Sequence, residues 1–507
     1  MRRLALALAL ATAAASPATA GPRPFAIRVV DRATRRGVPL VELTTVHNVT
    51  YVTDSAGRIA FDEPGLLGRR VFFFVRSHGY RAAKYAFGYE GVALDTRPGG
   101  SATVEMDRTD VAERLYRITG AGIYRDTVLL GEKPPIAQPL LNAGVLGQDS
   151  AQATVFGGRI YWFWGDTNLA RHPLGVFQST GATSDLPGKG GLSPDAGIDL
   201  TYFVDREGVA RGVCERKGSN PVWLDGLTTV RDDTGAERMA AHYSRMKDLG
   251  AMVEHGLVVW DARAQRFVER AAFSLDDVAH CPRGHAVRYS DRGDYVLFAM
   301  PFPMVRAPAR LSALAHQGEY EAFTCLAPGA RYAGASSRVE RDGAGRLVWG
   351  WKRGTDPIDQ AQERELIAAG LVKPGEARFQ VTDVATGEPV SLHNGSLAWN
   401  AYRRKWILIA VQRGGRTSFL GDVWYAEADA PSGPWTTAVR IVTHDRYSFY
   451  NPVQHAFFDR GGGRTIYFEG TYAATFSGNP SPTPRYDYNQ ILYRLDLADP
   501  RLHPKRP

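Results

Sequence analysis

Six hairpin motifs recur within residues 145–497 of this 507-residue chain, and this repetition constrains the fold more than any other feature. Each motif is an apolar strand, a turn rich in glycine, aspartate and arginine, and a second strand rich in aromatic residues. The turn centres lie near residues 158, 235, 293, 344, 403 and 463. Repeats of roughly 50 to 80 residues are typical of radial arrays of small β-sheets. The spacing predicts an all-β fold with a β-propeller of six counted units, and its irregular first interval leaves five blades open.

The first twenty residues predict a signal peptide, removed on export. Arg2 and Arg3 precede an apolar stretch, and Ala18-Thr19-Ala20 offers a small-residue cleavage site. Loss of the two arginines changes the net charge from +8 to 8 − 2 = +6. No later stretch approaches the ~18 apolar residues of a membrane span, and no basic run interleaved with aromatic residues indicates a nucleic-acid partner. We expect a periplasmic or secreted protein.

Residues 21–108 predict a small β-sandwich, because short β-rich runs alternate with glycine, aspartate and proline turns. The succession VVDRATRRGVPLVEL, VTDSAGRIAF and RSHGYR resembles the carboxypeptidase regulatory-like, or transthyretin-like, domain. That resemblance implies an accessory module, to which we assign no chemistry. Residues 109–144 predict a connector, and residues 145–500 the propeller.

Polar side chains recur where the hairpins begin and end. In a propeller, the start of the first strand and the end of the second strand of each blade face the same mouth of the central shaft. These positions, with aromatic residues nearby that could stack on sugar rings, supply the candidate substrate ligands. They are Arg245, His285, Arg338, Trp351, His393, Asn394, Gln454 and Tyr472.

Four carboxylates are candidates for catalysis: Asp149, Asp166, Glu254 and Glu469. Hydrolysis of a glycosidic bond requires two carboxyl groups in different environments, one ionised and one protonated. We expect Asp149 to act as general base, Glu254 or Glu469 as general acid, and Asp166 to tune the pKa and orientation of its neighbours. These expectations predict a glycoside hydrolase acting on a polysaccharide or oligosaccharide.

The segment GQDSAQATVFGGRIYWFWGDTN resembles the opening blade of bacterial propellers related to glycoside hydrolases. Those families act on arabinans and related plant or cell-wall glycans, and they include a D-arabinan-degrading group of domains of unknown function. The resemblance covers the predicted propeller. It implies that Asp149 is the catalytic base, and it identifies no acid.

Two other functions fit the same residues. A polysaccharide lyase would use rim arginines to neutralise a uronate and a histidine or tyrosine to remove the α-proton. A non-catalytic carbohydrate-binding propeller would need neither the charge-neutralising arginines nor the base. His393 and Asn394, with Asp149, are candidate ligands for Ca²⁺, although dispersed oxygen atoms are not diagnostic and we assign no metal site. Cys214, Cys281 and Cys325 lack CxxC spacing, which excludes zinc and thioredoxin chemistry and leaves their disulfide pairing open.

Overall fold

The computed structural model describes residues 23–170, 172–176, 178–216 and 221–503. The predicted signal peptide, residues 1–20, lies outside these ranges. Strands dominate the described residues, so the all-β prediction is confirmed. None of the helices in these ranges combines the length and the apolar character needed to cross a bilayer. The three α-helices are Arg125–Leu129, Leu311–Leu314 and Gln360–Ala368.

Two four-stranded sheets form the N-terminal part of the chain. Phe73 and Val75 alternate with outward-facing neighbours along one strand, and such a period of two buries one face of each sheet. A shared apolar core that includes Ile27, Phe61 and Met106 lies between the sheets. In spatial order the strands are Arg58–Phe61, Phe25–Asp31, Ser101–Arg108 and Tyr80–Ala82 in one sheet, and Thr50–Val52, Glu42–Thr45, Arg70–Arg76 and Gly91–Asp95 in the other.

Five further sheets, which we number 1 to 5 along the chain, make up most of the remaining structure. Their strands, in spatial order, are Gln152–Phe156, Arg159–Trp164, Thr180–Asp185 and Thr201–Tyr202 in sheet 1; Val222–Arg231, Glu237–Met246, Met252–Asp261 and Arg266–Phe273 in sheet 2; His285–Ser290, Asp294–Ala299, Pro303–Pro308, Glu321–Thr324 and Gly350–Lys352 in sheet 3; Leu392–Asn400, Lys405–Gln412, Val423–Ala428, Thr437–Val442 and Thr382–Asp383 in sheet 4; and Ser448–Gln454, Thr465–Ala473, Asn489–Asp496 and Glu113–Arg117 in sheet 5. A small sheet beside them contains Val145–Gln148, Thr167–Leu169 and His172–Val176.

The first strands of successive sheets are neighbours in space. The first strand of sheet 1 contacts that of sheet 2, and the contacts continue through sheets 3, 4 and 5. Sheet 5 in turn packs against sheet 1, because Val453 and Tyr467 share one apolar core with Ile160 and Trp162. The first strands therefore follow one another in space from sheet 1 to sheet 5, and residues at their ends line a shared cavity.

The hairpin near residue 344 does not form a sheet of its own. Its arms meet only at a bridge between Arg341 and Leu347. The segment that follows, Gly350–Lys352, pairs with Glu321–Thr324 as the outermost strand of sheet 3. The count of six separate units is therefore wrong for this hairpin, because its arms serve as the edge of a sheet that another hairpin begins.

The predicted connector contains a strand of sheet 5. Glu113–Arg117 pairs antiparallel with Asn489–Asp496, so the outer edge of the last sheet comes from the start of the domain. Leu115 is fully buried there, in the core shared by sheets 5 and 1. The prediction that residues 109–144 only connect two domains is therefore wrong for this segment.

The N-terminal sheets are joined to the rest of the chain by buried contacts. Asp110 accepts hydrogen bonds from the backbone and the hydroxyl of Thr443, both at 3.0 Å. The rings of His78 and His444 lie 4.2 Å apart, and both side chains are buried. Removal of the N-terminal sheets would expose the surface around Thr443 and His444 that these contacts cover.

The three cysteines are buried free thiols, so the disulfide that the sequence left open does not form. Burial raises the pKa of Cys214, Cys281 and Cys325 to about 12, which keeps all three protonated at neutral pH.

Truncation tests the role of the strand Glu113–Arg117. A chain that starts at Ala121 lacks this strand and should lose cooperative unfolding in a urea titration. A chain that starts at Thr109 keeps the strand and should retain a cooperative, weaker transition. In the full chain, Leu115→Ala should lower the free energy of unfolding by about 2–5 kcal/mol, since it leaves a cavity in the core. Equal stability of the two truncated chains would contradict this role.

Candidate functional site

A cavity of about 870 Å³ opens where the first strands of the five sheets meet. This volume falls in the range typical of small-molecule sites, roughly 300–1,000 Å³. Each sheet contributes polar residues to the wall. They include Asp149 and Asp166 beside sheet 1, Asp225 in sheet 2, His285 in sheet 3 with Arg283 just before it, His393 and Asn394 in sheet 4 with Arg413 just after its second strand, and Tyr450 and Asn451 in sheet 5 with Asp487 and Tyr488 just before its third strand.

Asp149 and Asp166 form a carboxylate pair on one wall. Asp149 precedes the first strand of sheet 1 and Asp166 follows the second, so hairpin pairing brings them together. The Asp166 amide donates a hydrogen bond of 3.0 Å to Asp149 Oδ1, and the Tyr450 hydroxyl donates one of 3.0 Å to Oδ2. Trp223 Nε1 donates to Asp166 Oδ1 at 2.9 Å. Both carboxylates are thus held in fixed orientations from neighbouring sheets.

The environment of this pair raises both pKa values. Burial raises the pKa of Asp149 to about 7, and the charge of Asp166 adds to the rise, against hydrogen bonds from Tyr488 and Tyr450 that lower it. Burial also raises the pKa of Asp166, against the lowering effect of the Trp223 hydrogen bond. Asp149 therefore titrates close to neutral pH, beside a second carboxyl group whose pKa is also raised.

Asp225 is a third carboxylate on the cavity wall. It lies on the first strand of sheet 2, at an irregularity in the strand pairing that follows it. Its Oδ1 accepts a 2.9 Å hydrogen bond from the Gly284 amide of sheet 3. Burial raises the pKa of Asp225 to about 6, while the Gly284 hydrogen bond and the charge of Arg283 lower it.

Three residues near Asp149 have backbone conformations that residues other than glycine rarely adopt. Ser150, Asn451 and Tyr488 have φ values of 55°, 51° and 62°, in the left-handed region. The Asn451 amide donates to the Ser150 hydroxyl at 2.7 Å, which ties sheet 5 to the loop of Asp149. At Gly165 a Cβ atom would lie 2.3 Å from Asp149 Oδ1, so only glycine leaves room for that carboxylate. Such strain is common at binding and catalytic sites.

The two histidines of the wall are uncharged at neutral pH. Burial lowers the pKa of His285 to about 3, with a further contribution from His455. Burial lowers the pKa of His393 to about 4, and the charge of Arg413 adds to this effect. Neutral imidazoles can exchange hydrogen bonds with hydroxyl groups but supply no positive charge.

Several residues predicted for the site line this cavity. Asp149, Asp166, His285, His393 and Asn394 lie on its wall, although they come from three different sheets. These five predicted residues therefore share one cavity, and their catalytic or binding roles stay predictions.

Glu254 and Arg245 lie elsewhere and pair with each other. Arg245 Nε is 2.8 Å from Glu254 Oε2, and Arg216 binds the same carboxylate. The two residues are cross-strand neighbours within sheet 2. Arg216 and the other donors lower the pKa of Glu254 despite its burial, so it is not suited to donate a proton. The expectation that Glu254 is the acid is wrong for this reason.

Glu469 is fully buried within sheet 5, where it lies 2.5 Å from His455 Nε2. It is not part of the cavity wall. The other predicted ligands also lie away from the wall. Arg338 is exposed on a loop, Trp351 lies under Arg306 at the edge of sheet 3, Gln454 binds Asp459, and Tyr472 stacks on His78.

Sequence reasoning missed Asp225, Tyr450 and Arg283. A signal existed for Asp225, which interrupts the apolar strand VWLDGLTTV. The repeated hairpin motif of sheet 2 begins at Thr228, three residues after Asp225, so the repeat pattern does not include this aspartate. Tyr450 and Arg283 carried no comparable signal, because tyrosines and arginines are frequent throughout the chain.

The described residues contain no group of three or more histidine, cysteine, aspartate or glutamate side chains arranged to hold a metal ion. The candidate Ca²⁺ ligands Asp149, His393 and Asn394 do line one cavity. Asp149 is already engaged by Tyr450, and the Asn394 amide donates to Asn451. A Ca²⁺ site at these residues stays a prediction.

Of the comparisons with known proteins, only the one with solved structures gives matches. No family model matches the chain, and no curated protein matches it. The chain is similar to a GH43_1 enzyme from Xanthomonas citri complexed with xylose, at 12% identity and a TM-score of 0.34, over 70% of this chain and 88% of that one. It is also similar to an endo-1,5-α-L-arabinanase from Thermotoga petrophila, at 10% identity and a TM-score of 0.32, over 70% and 71% of the two chains. An exo-β-1,3-galactanase from Phanerochaete chrysosporium gives 9% identity and a TM-score of 0.33, over 76% and 65%. Likeness at this level assigns no activity.

The raised pKa of Asp149 predicts a stability change with a definite sign. Its ordinary value is 3.8 and its folded value is about 7, so the folded protein binds the extra proton between these pH values. Stability contributed by this proton is present at pH 4 and is lost as the pH rises through 7. Asp149→Asn should therefore raise the free energy of unfolding by roughly 1 kcal/mol or more at pH 8 and have little effect at pH 4.

The matched control is Asp232, whose pKa is lowered by hydrogen bonds from Thr234 and Arg238 in an exposed turn. Asp232→Asn should destabilise the protein at pH 8, the opposite sign. Urea titrations at the two pH values measure both effects. Destabilisation by Asp149→Asn at pH 8 would contradict the burial argument.

Proposed function

We propose that this chain is a glycoside hydrolase whose active site is the cavity formed by the five sheets. The observation that carries this proposal is the placement of Asp149, Asp166 and Asp225 on one cavity wall, where burial raises the pKa of each. Glycosidic hydrolysis needs a carboxylate and a carboxylic acid in the same site at the same pH. Three aspartates with raised pKa values can supply both forms.

The proposed roles follow from the hydrogen bonds of each aspartate. Both oxygens of Asp149 accept hydrogen bonds, which favours its ionised form and suits a general base. Asp225 accepts a bond at Oδ1 from Gly284 and can carry a proton on Oδ2, which suits a general acid. Asp166 raises the pKa of Asp149 through its charge, so that the base titrates close to neutral pH.

Aromatic side chains complete the site. Trp164 and Trp223 lie on the wall beside the aspartates, and the half-exposed rings of Phe419 and Phe476 stand at its edge. Aromatic faces bind the apolar faces of sugar rings, while the neutral histidines can bind hydroxyl groups. These features support a carbohydrate substrate.

The domain arrangement belongs to the same proposal. We infer that sheets 1 to 5 are the blades of a five-bladed propeller closed by the strand Glu113–Arg117. The N-terminal sheets are an accessory sandwich, since every residue of the cavity wall lies between Asp149 and Tyr488. Export to the periplasm or the medium rests on the signal-peptide pattern of residues 1–20.

Release of reducing ends tests the activity. The purified chain is incubated with α-1,5-arabinan, xylan and β-1,3-galactan, and with acidic polysaccharides. New reducing ends without ultraviolet absorbance indicate a hydrolase, whereas an absorbing unsaturated product indicates a lyase. Binding without any product indicates a non-catalytic module, and either of these last two results would contradict the proposal.

Two substitutions separate the acid from the base. Asp225→Asn should lose about 10²–10⁴-fold in turnover on a natural glycan and recover on an aryl glycoside with a good leaving group, which needs no proton. Asp149→Asn should lose a similar factor on both substrates. If Asp149→Asn instead recovers on the aryl glycoside and Asp225→Asn does not, Asp149 is the acid and Asp225 the base. Normal turnover by Asp149→Asn would exclude this site as the catalytic centre.

The pH profile provides a further prediction. Turnover needs one proton on the Asp149 and Asp225 pair, whose pKa values are about 7 and about 6. The rate should therefore rise through pH 6, fall through pH 7 and form a bell. Tyr450→Phe removes a bond that lowers the pKa of Asp149, so the alkaline limb should shift upward.

A further inference from the structure

The charges on the cavity wall are divided between its two sides. Asp149, Asp166 and Asp225 belong to sheets 1 and 2, whereas Arg283 and Arg413 belong to sheets 3 and 4. Asp487, at the edge of sheet 5, is the fourth acidic residue of the wall. A ligand that fills the cavity therefore meets an acidic side and a basic side.

Among the described residues, no carboxylate forms an ion pair with either arginine of the basic side. In the described part of the chain, neither Arg283 nor Arg413 lies within 4.0 Å of an acidic oxygen, and both side chains are exposed. Arg283 lowers the pKa of Asp225 through its charge without forming an ion pair. By contrast, Arg245 in sheet 2 and Arg216 in the loop before that sheet both bind Glu254. The positive charge of Arg283 and Arg413 is thus available to a ligand.

The geometry of the strand ends places the two arginines on adjoining sheets. Arg283 lies two residues before His285, the first residue of sheet 3, and Arg413 follows the second strand of sheet 4. The first strands of these sheets are in contact. Arg413 also lies close enough to His393 to lower its pKa. Because His285 and His393 are neutral, the arginines are the source of positive charge on this side.

We propose that the substrate is an anionic glycan, and that its oxyanion binds on the side of the cavity formed by Arg283 and Arg413. The guanidinium fork matches the two oxygens of a carboxylate or a phosphoryl group, so a uronic acid and a phosphorylated sugar share the required chemistry. The glycosidic bond then lies on the acidic side, against Asp149 and Asp225. This inference rests on the cavity being the active site of the proposed hydrolase.

Affinity electrophoresis of the full chain tests the inference, with Asp149→Asn used to prevent turnover. The probes are polygalacturonate and its methyl-esterified form, glucuronoxylan and xylan, alginate, and phosphomannan with its dephosphorylated form. At least one acidic polymer should retard the protein about tenfold more strongly than its neutral counterpart at low salt. Retardation by the uronates or by phosphomannan identifies which oxyanion is bound.

Arginine variants decide whether the two side chains are responsible. Arg283→Gln and Arg413→Gln should each weaken retardation by the acidic polymer about tenfold, and the double variant should lose the preference for it. Arg416→Gln is the matched control, because Arg416 is exposed on the same loop as Arg413 and is not part of the wall. It should keep the preference.

Three results would overturn the inference: no acidic polymer retards the protein, the neutral forms retard it equally, or the double variant keeps its preference. These outcomes are separable from failure of the hydrolase proposal. A charge preference that depends on both arginines, without hydrolysis of any probe, would contradict the hydrolase alone. Efficient hydrolysis of a neutral glycan at the same site would contradict the anionic substrate alone.

Discussion

The pairing of Glu113–Arg117 with Asn489–Asp496 joins the start of the sheet-forming region to its end, and the cavity depends on it. Arg117 donates to Asn489 Oδ1 at 2.7 Å and stacks 3.6 Å from the Tyr486 ring. These contacts hold the segment that carries Tyr488. The Tyr488 carbonyl accepts a bond from the Gln148 amide at 2.7 Å, one residue before Asp149. Closure of the last sheet thereby sets the position of the first catalytic candidate.

The buried aspartates of the cavity wall lower the stability of the fold, and residues from neighbouring sheets hold each of them in place by hydrogen bonds. Asp149 is bound by Tyr450 of sheet 5, Asp166 by Trp223 of sheet 2, and Asp225 by Gly284 of sheet 3. Each carboxylate is therefore oriented by a sheet other than its own. Burial of acidic groups with raised pKa values costs stability at neutral pH, a cost that proteins accept at sites of chemistry.

The sequence anticipates the proximity of two candidate site residues where local strand pairing brings them together. Asp149 and Asp166 lie at the two ends of one hairpin, so strand pairing alone brings them into contact. Glu254 and Glu469 also lie in strands of the expected sheets, but their partners decide their roles. Arg216 and Arg245 engage Glu254, and His455 binds the buried Glu469. Such partners lie far apart in sequence or on adjacent strands, and the hairpin pattern does not identify them.

The sequence by itself determined the all-β character, the hairpins and the contact between Asp149 and Asp166, because alternation and turn residues act over a few positions. Only the tertiary structure decided that the hairpin near residue 344 is an edge of sheet 3 and that Glu113–Arg117 completes sheet 5. It also decided that Asp225, Arg283 and Arg413 face the same cavity as Asp149. These outcomes depend on packing between segments up to hundreds of residues apart, for which local patterns carry no information.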